Sequence, residues 1–178
     1  MSPPSEDKCL ELLKKHDAPE NIQKHCKKVR DVAVLIGKEL NKERDRVDME
    51  LLEAASLLHD IGKMKAKEQS GEVGHGDLGY RILQDEGYPE TASVVRKHPV
   101  VKILKGIDDW TIEDKIVYYS DKRAREDILS LDERFAGLIE SYGDTPAKVE
   151  ELEKCKSKAR ELERELLTKI DVPSEIKN

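Results

Sequence analysis

The sequence predicts an all-α protein, and three observations carry that expectation. Apolar residues recur at helical spacing along most of the 178-residue chain. The alternating pattern of a half-buried strand is nearly absent: Val94-Val95 and Val100-Val101 have neither alternating partners nor hairpin turns beside them. Pro, Gly and cap-type residues divide the chain into helix-sized pieces. Only 37% of residues are hydrophobic and 39% are charged, so the core has to come from narrow apolar stripes on helices.

The first strong helix is expected from about Pro19 to Leu40, with Asp17 as cap and Glu20 three residues on. Its stripe is Ile22, Val29, Val32 and Ile36, and His25 falls on the same face. A second helix follows Asp48. Leu51, Leu52, Ala54, Ala55, Leu57 and Leu58 make it apolar nearly all round, which predicts the buried central helix. It ends at His59-Asp60, with Gly62 as the stop. A polar loop from Lys65 to Gly76 leads to a third helix, about Asp77 to Glu86, closed by Gly87. Pro89 opens a fourth, which reaches His98 and stops at Pro99. Thr111 and Asp114 form a capping box for a fifth, carrying Ile116, Val117, Asp121 and Ala124. A sixth spans Leu131 to Tyr142, and a last one runs from Thr145-Pro146 to about Lys169. Val149, Leu152, Ala159, Leu162, Leu166 and Ile170 give that last helix a stripe for docking on its own domain or on a second copy. A single domain over 1–178 is expected, with its core at about 19–128 and a C-terminal helical extension at about 131–170.

Composition narrows the partners. The net charge is −6, with acids and bases interspersed, so no clear nucleic-acid surface is legible. Local clusters at Lys24, Lys27, Lys28 and at Lys63, Lys65, Lys67 could still hold phosphate. No apolar run approaches the roughly 18 residues of a membrane span, and the N-terminus lacks a signal-peptide layout. A cytoplasmic protein without a membrane partner is expected, with Cys9, Cys26 and Cys155 as reduced thiols. The chain is expected as a monomer or homodimer.

Four of the five histidines sit where a helix face or end points inward. His59 and Asp60 side by side at the end of the most hydrophobic helix are costly to bury without compensation. A divalent cation compensates, because neutral imidazole and carboxylate oxygen are its natural ligands. Asp121 shares an inward helix face with Val117 and Ala124, so His25, His59, Asp60 and Asp121 form a candidate metal-binding set. His16 reads as a surface residue.

His25, then His59-Asp60-Ile61-Gly62-Lys63, then Tyr118-Tyr119-Ser120-Asp121-Lys122 resembles the HD superfamily of metal-dependent phosphohydrolases, in its HDIGK-type subgroup. The similarity runs from about Asn21 to Arg125. Ser120 departs from the small Ala of many relatives. The resemblance implies a helical bundle of about five core helices with added C-terminal helices. It also implies two divalent transition ions, with Fe, Mn, Co, Ni and Zn not distinguished. By position, His75 and His98 would serve a second ion and Asp60 would bridge the two. Lys63 stands where some mononuclear relatives carry an acid, so water activation would fall to the cations, whose charge lowers the pKa of water. Lys63, with Arg125 one helical turn beyond Asp121, would then face a phosphate. The Gly87-Tyr88-Pro89 run is read as a helix stop and start, and not as the signature of cyclic-di-GMP phosphodiesterases.

The implied activity is hydrolysis of a phosphate ester in a nucleotide or a similar small phosphorylated molecule. Asp60 and Lys63 are its catalytic residues; His25, His59, Asp60, His75, His98 and Asp121 are its metal ligands. Two alternatives stand beside it: a di-iron oxygenase using the same six ligands, and a non-catalytic nucleotide-binding module.

Overall fold

The computed structural model describes residues 2–43, 46–70 and 73–176. Its helices are α1 (Glu6–Lys15), α2 (Glu20–Lys42), α3 (Met49–Leu58), α4 (Lys63–Glu68) and α5 (His75–Asp85). There follow α6 (Pro89–Lys97), a 3₁₀ turn at Val100–Lys105, α7 (Ile112–Arg123), α8 (Leu131–Tyr142), α9 (Pro146–Leu167) and a second 3₁₀ turn at Ser174–Ile176. Among the described residues there is no strand, only an isolated bridge between Ala124 and Ile128.

Helix α3 is the buried centre, and its all-round apolarity has a cause. Leu52 and Ala55 face one core cluster, shared with α2, α7, α8 and α9, while Ala54, Leu57 and Leu58 face a second, shared with α1, α5 and α6. A helix packed on two sides keeps only a narrow polar edge, here Glu50 and Glu53. Asp48 caps it by accepting from the Leu51 amide at 3.0 Å.

Helix α1 lies outside the expected elements. Its stripe is short, Cys9, Leu12 and Leu13, and the polar remainder hides the periodicity. Asp17 closes α1 instead of opening α2. It sits at φ 58°, the Ala18 amide donates to the Leu13 carbonyl and the Asp17 amide to that of Lys14, a Schellman turn with Asp in the left-handed place. Helix α2 then starts at Pro19 without a side-chain cap. Gly87 closes α5 by the same turn, at φ 86°, and Pro89 starts α6 as expected.

Two further expectations are corrected near the HD dipeptide. A third of the loop expected from Lys65 to Gly76 is helical as α4, and its last two residues, His75 and Gly76, open α5; Gly71 and Glu72 lie outside the described residues. Gly62 is not a left-handed stop, since its φ is −80°. Its role is close approach: a Cβ there would stand 2.2 Å from the His75 carbonyl oxygen and 2.5 Å from the Gly79 amide. Gly76 works likewise against Pro99, whose Cγ would lie 2.6 Å from an added Cβ. The two glycines bring the start of α5 against both the α3–α4 corner and the end of α6.

The capping box of α7 is formed by Thr111 and Asp114, and the helix is buried on nearly every side. The stripe of α9 is covered within its own chain: Leu152, Ala159, Leu162 and Leu166 are buried with Cys155, and Val149 and Ile170 are half-buried. The helix packs on α8, α7 and the first 3₁₀ turn.

Candidate metal centre

Five places in the fold deliver the six ligand-type residues. His25 comes from mid-α2, His59 and Asp60 from the end of α3, His75 from the first position of α5, His98 from the end of α6, and Asp121 from α7. The structure brings all six together. His25 Nε2 lies 3.2 Å from His59 Nε2 and 3.1 Å from Asp121 Oδ1. His75 Nε2 lies 2.9 Å from His98 Nε2.

Asp60 stands between these two groups with one oxygen toward each. Its Oδ2 is 3.3 Å from His59 Nε2 and 3.6 Å from His25 Nε2. Its Oδ1 is 3.6 Å from His98 Nε2 and 3.7 Å from His75 Nε2. Metal–nitrogen bonds of about 2.1 Å place neighbouring ligand atoms about 3.0 Å apart at a right angle and about 3.4 Å apart in a tetrahedron. The observed separations fall on that scale, so the side chains present fit a divalent cation in each group.

Local hydrogen bonds choose the imidazole nitrogen that faces the centre. His59 Nδ1 donates to the Ser56 carbonyl at 2.8 Å, and His98 Nδ1 donates to the Val95 carbonyl at 2.6 Å. Both bonds reach back three residues to the last turn of a helix and leave Nε2 pointing inward. This is the outer-shell arrangement that fixes a ligating histidine's tautomer.

Charge follows the geometry. Burial favours neutral Asp60, yet the His59 charge with hydrogen bonds from His59 and His98 holds its carboxyl well below the usual range. Asp121 is likewise held low against burial by Lys122, His25 and His59. Burial, with His98 beside it, pushes His75 down to about 3; burial also lowers His98. Burial would deprotonate His59, but the neighbouring Asp60 outweighs it and raises His59 well above its ordinary value. Two ionised carboxylates and two neutral imidazoles in a buried cluster make a cation-seeking environment.

Lys63 is at hand but engaged: its Nζ donates to Asp60 Oδ2 at 2.6 Å, with the side chain still 43% exposed. Arg125 does not reach the cluster by the expected helical turn. Helix α7 ends at Arg123 and Ala124 is extended, so Arg125 is carried to an outer cleft, its guanidinium over Gly137 on α8. His16 stays outside the centre, half-buried and 2.9 Å from Glu86. The Ser120 hydroxyl is buried and has no hydrogen-bond partner among the described residues, so it packs as a small side chain.

Four neighbours escaped the sequence reading. Cys26 places its thiol within 4.8 Å of ligand-type atoms of His59 and Asp60. Lys122 is buried, paired with the second Asp121 oxygen, and donates to the His98 carbonyl at 3.0 Å. It ties the α7 carboxylate to the end of α6. The charged run Asp121-Lys122-Arg123, close behind the apolar stretch Ile116 to Tyr119, was the available clue. Arg134 and Tyr142 on α8 line the centre's cavity, and only the tertiary packing reveals them.

The matches to known proteins follow the same span of chain. A family profile described as the HD domain matches residues 22–126. A tRNA (cytidine(56)-2'-O)-methyltransferase from Thermoplasma volcanium is 34% identical over 130 residues, which are 66% of this chain and 36% of that protein. An uncharacterized protein from Methanocaldococcus jannaschii is 28% identical over 127 residues, 65% of this chain and 72% of its own. The chain thus spans about a third of the methyltransferase's length. A solved structure described as an HD superfamily hydrolase, from an uncultured Thermotogales bacterium, superposes with a TM-score of 0.50 at 18% identity, covering 93% of this chain and 92% of that one. That likeness is one of fold. With the profile spanning His25, His59-Asp60 and Asp121, the chain belongs to the HD domain family.

Proposed function

We propose that this chain is a metal-dependent phosphohydrolase that cleaves a phosphate ester in a nucleotide or a similar molecule. The reading is carried by one observation: Asp60 directs its two oxygens to two separate sets of imidazole nitrogens. In this reading His25, His59 and Asp121 would hold one divalent cation and His75 and His98 another, with Asp60 offering an oxygen to each set. Bound there, the cations would supply Lewis acidity toward a phosphoryl oxygen and lower the pKa of water.

The chain's own residues have defined tasks. His59 and His98 keep Nε2 inward through their backbone bonds. Lys122 orients Asp121. Lys63, exposed at the mouth and one side-chain rotation from Asp60, meets the phosphoryl oxygens as charge develops on them. The family and the relative named for tRNA chemistry support a nucleotide-containing substrate.

A panel of phosphate mono- and diesters, assayed anaerobically with Mn²⁺ or Co²⁺, tests this reading, with elemental analysis of protein purified without chelator alongside. Turnover with about two transition ions per chain is the expected result. Iron-dependent O₂ uptake without ester hydrolysis would replace the reading with the oxygenase. Nucleotide binding with no turnover under any metal would replace it with a binding module.

A further inference from the structure

The described residues form two cavities that meet at the histidine cluster. The inner one, about 340 Å³, contains Asp60, His75, His98 and Asp121. The outer one, about 600 Å³, opens beside His25 and runs between α2 and α8. Lys63, Arg134, Leu138 and Tyr142 line both, so the two adjoin. Such a space exceeds what a single phosphate needs.

The outer cavity's charge is opposite to that of the protein. The chain carries −6 overall, yet Lys24, Lys28, Lys63, Arg125 and Arg134 line this cleft against the single carboxylate of Glu126 among the described residues. Lys24 is answered by Glu20 at 2.8 Å, an exposed pair of little strength. Arg134 carries the sharper sign: its Nε is buried without a hydrogen-bond partner among the described residues, in the wall common to both cavities. Clustered like charges oppose the compact state, and an anionic ligand relieves them.

Tyr142 completes the picture. It is 62% exposed, the most exposed large hydrophobic side chain among the described residues, and it stands where the two cavities join. An exposed ring beside a cationic groove is the pairing by which bases are stacked and a phosphate backbone is tracked.

We infer that the outer cleft is a subsite for a second nucleotide unit, so that the substrate is a phosphodiester-linked di- or oligonucleotide and not a mononucleotide. Lys24, Lys28, Arg125 and Arg134 hold the phosphate next to the reacting one, and Tyr142 stacks on the base between them. This rests on the phosphohydrolase reading for the inner cavity, but the cleft's affinity is measurable without turnover.

The test uses the full chain. With chelator present, binding of fluorescein-labelled mono-, di- and tetranucleotides is followed by anisotropy at several salt concentrations; with Mn²⁺, hydrolysis of the same unlabelled compounds is measured. Affinity should rise at least tenfold from mono- to dinucleotide. A further rise at the tetranucleotide assigns the cleft to a strand, and a plateau assigns it to dinucleotides. Lys24→Ala/Lys28→Ala should reduce dinucleotide affinity about tenfold and flatten its salt dependence by close to two counterions. Tyr142→Ala should weaken it about five- to fiftyfold, with Tyr142→Phe restoring most of the loss. Equal affinity for mono- and dinucleotide in the folded protein would overturn the subsite, even if mononucleotides are hydrolysed with Mn²⁺. Length-dependent binding that fades in the lysine variant, with no hydrolysis of any compound, would keep the subsite and overturn the phosphohydrolase reading.

Discussion

Helix α7 supports two buried polar clusters on opposite faces, and they are built on opposite principles. Toward α9, Arg123 donates to the Tyr119 hydroxyl, to Glu163 at 3.2 Å, to the Leu129 carbonyl at 2.5 Å and to the Ile176 carbonyl at 2.8 Å. Tyr119 donates in turn to Glu163 at 2.7 Å. Donors there meet acceptors inside the chain. Toward α2, α3, α5 and α6 the balance fails. Two carboxylates and the inward Nε2 atoms of His59 and His98 converge there, and Lys63, Lys122 and a proton on His59 answer only part of them. A buried polar cluster that closes on itself is architecture. One that leaves acceptors converging calls for something the polypeptide does not provide.

The contrast is open to direct attack. Asp60→Ala should show the largest effect: turnover abolished and metal content falling with it, since both proposed ion positions lose a ligand. Activity assays and elemental analysis on the same preparation check this, and a variant that keeps both ions would remove Asp60 from its bridging place. Arg123→Ala should do the reverse, costing about 3–5 kcal/mol in urea denaturation by stranding Glu163 and the carbonyls it serves. The protein that remains folded should keep its full metal complement; loss of metal at native stability would mean that the two faces of α7 are not independent. Lys63→Ala should slow turnover roughly 10²-fold, the scale of one lost preorganised charge partner, without lowering metal content. Metal stripped by that change would make Lys63 a support for Asp60 and not a substrate contact.

The smallest effect belongs at the periphery. Glu86 accepts from Lys15 and His16, which hold its carboxyl below the usual range. A depressed folded-state pKa gives stability that is present above the unfolded value of about 4.3 and is lost as pH falls below it. Glu86→Gln should therefore cost at most about 1 kcal/mol at pH 7 and progressively less as pH falls through the folded-state value, by thermal melts across the acid range.

The difference between the clusters also explains what could be read from the chain. Elements with their own punctuation were legible: α8 between Ser130 and Tyr142, α7 behind its Thr111–Asp114 box, α6 between Pro89 and Pro99. So were His25, His59, Asp60 and Asp121, because a His or Asp on an apolar stripe is visible as a contradiction in the pattern; His75 and His98 came only through the family resemblance. Helix α1 was not, since three inward residues make too short a period. Asp17 was assigned to the wrong helix because the same residue type suits an N-cap and a left-handed turn, and only the backbone distinguishes them. Arg134 and Tyr142 follow no local rule. They matter through where α8 lands, which depends on contacts far away in sequence.

The close packing at Gly62 and Gly76 has a consequence for how the family can vary. Where α5 meets α3 and α6, backbone lies against backbone and ring, with no side chain between to be exchanged. The gap between His75 and His98 is therefore set by the thickness of the polypeptide itself. Exposed residues elsewhere along these helices, such as Arg81, take no part in that spacing. A single methyl group at position 76 would press on the Pro99 ring and wedge the two helix ends apart.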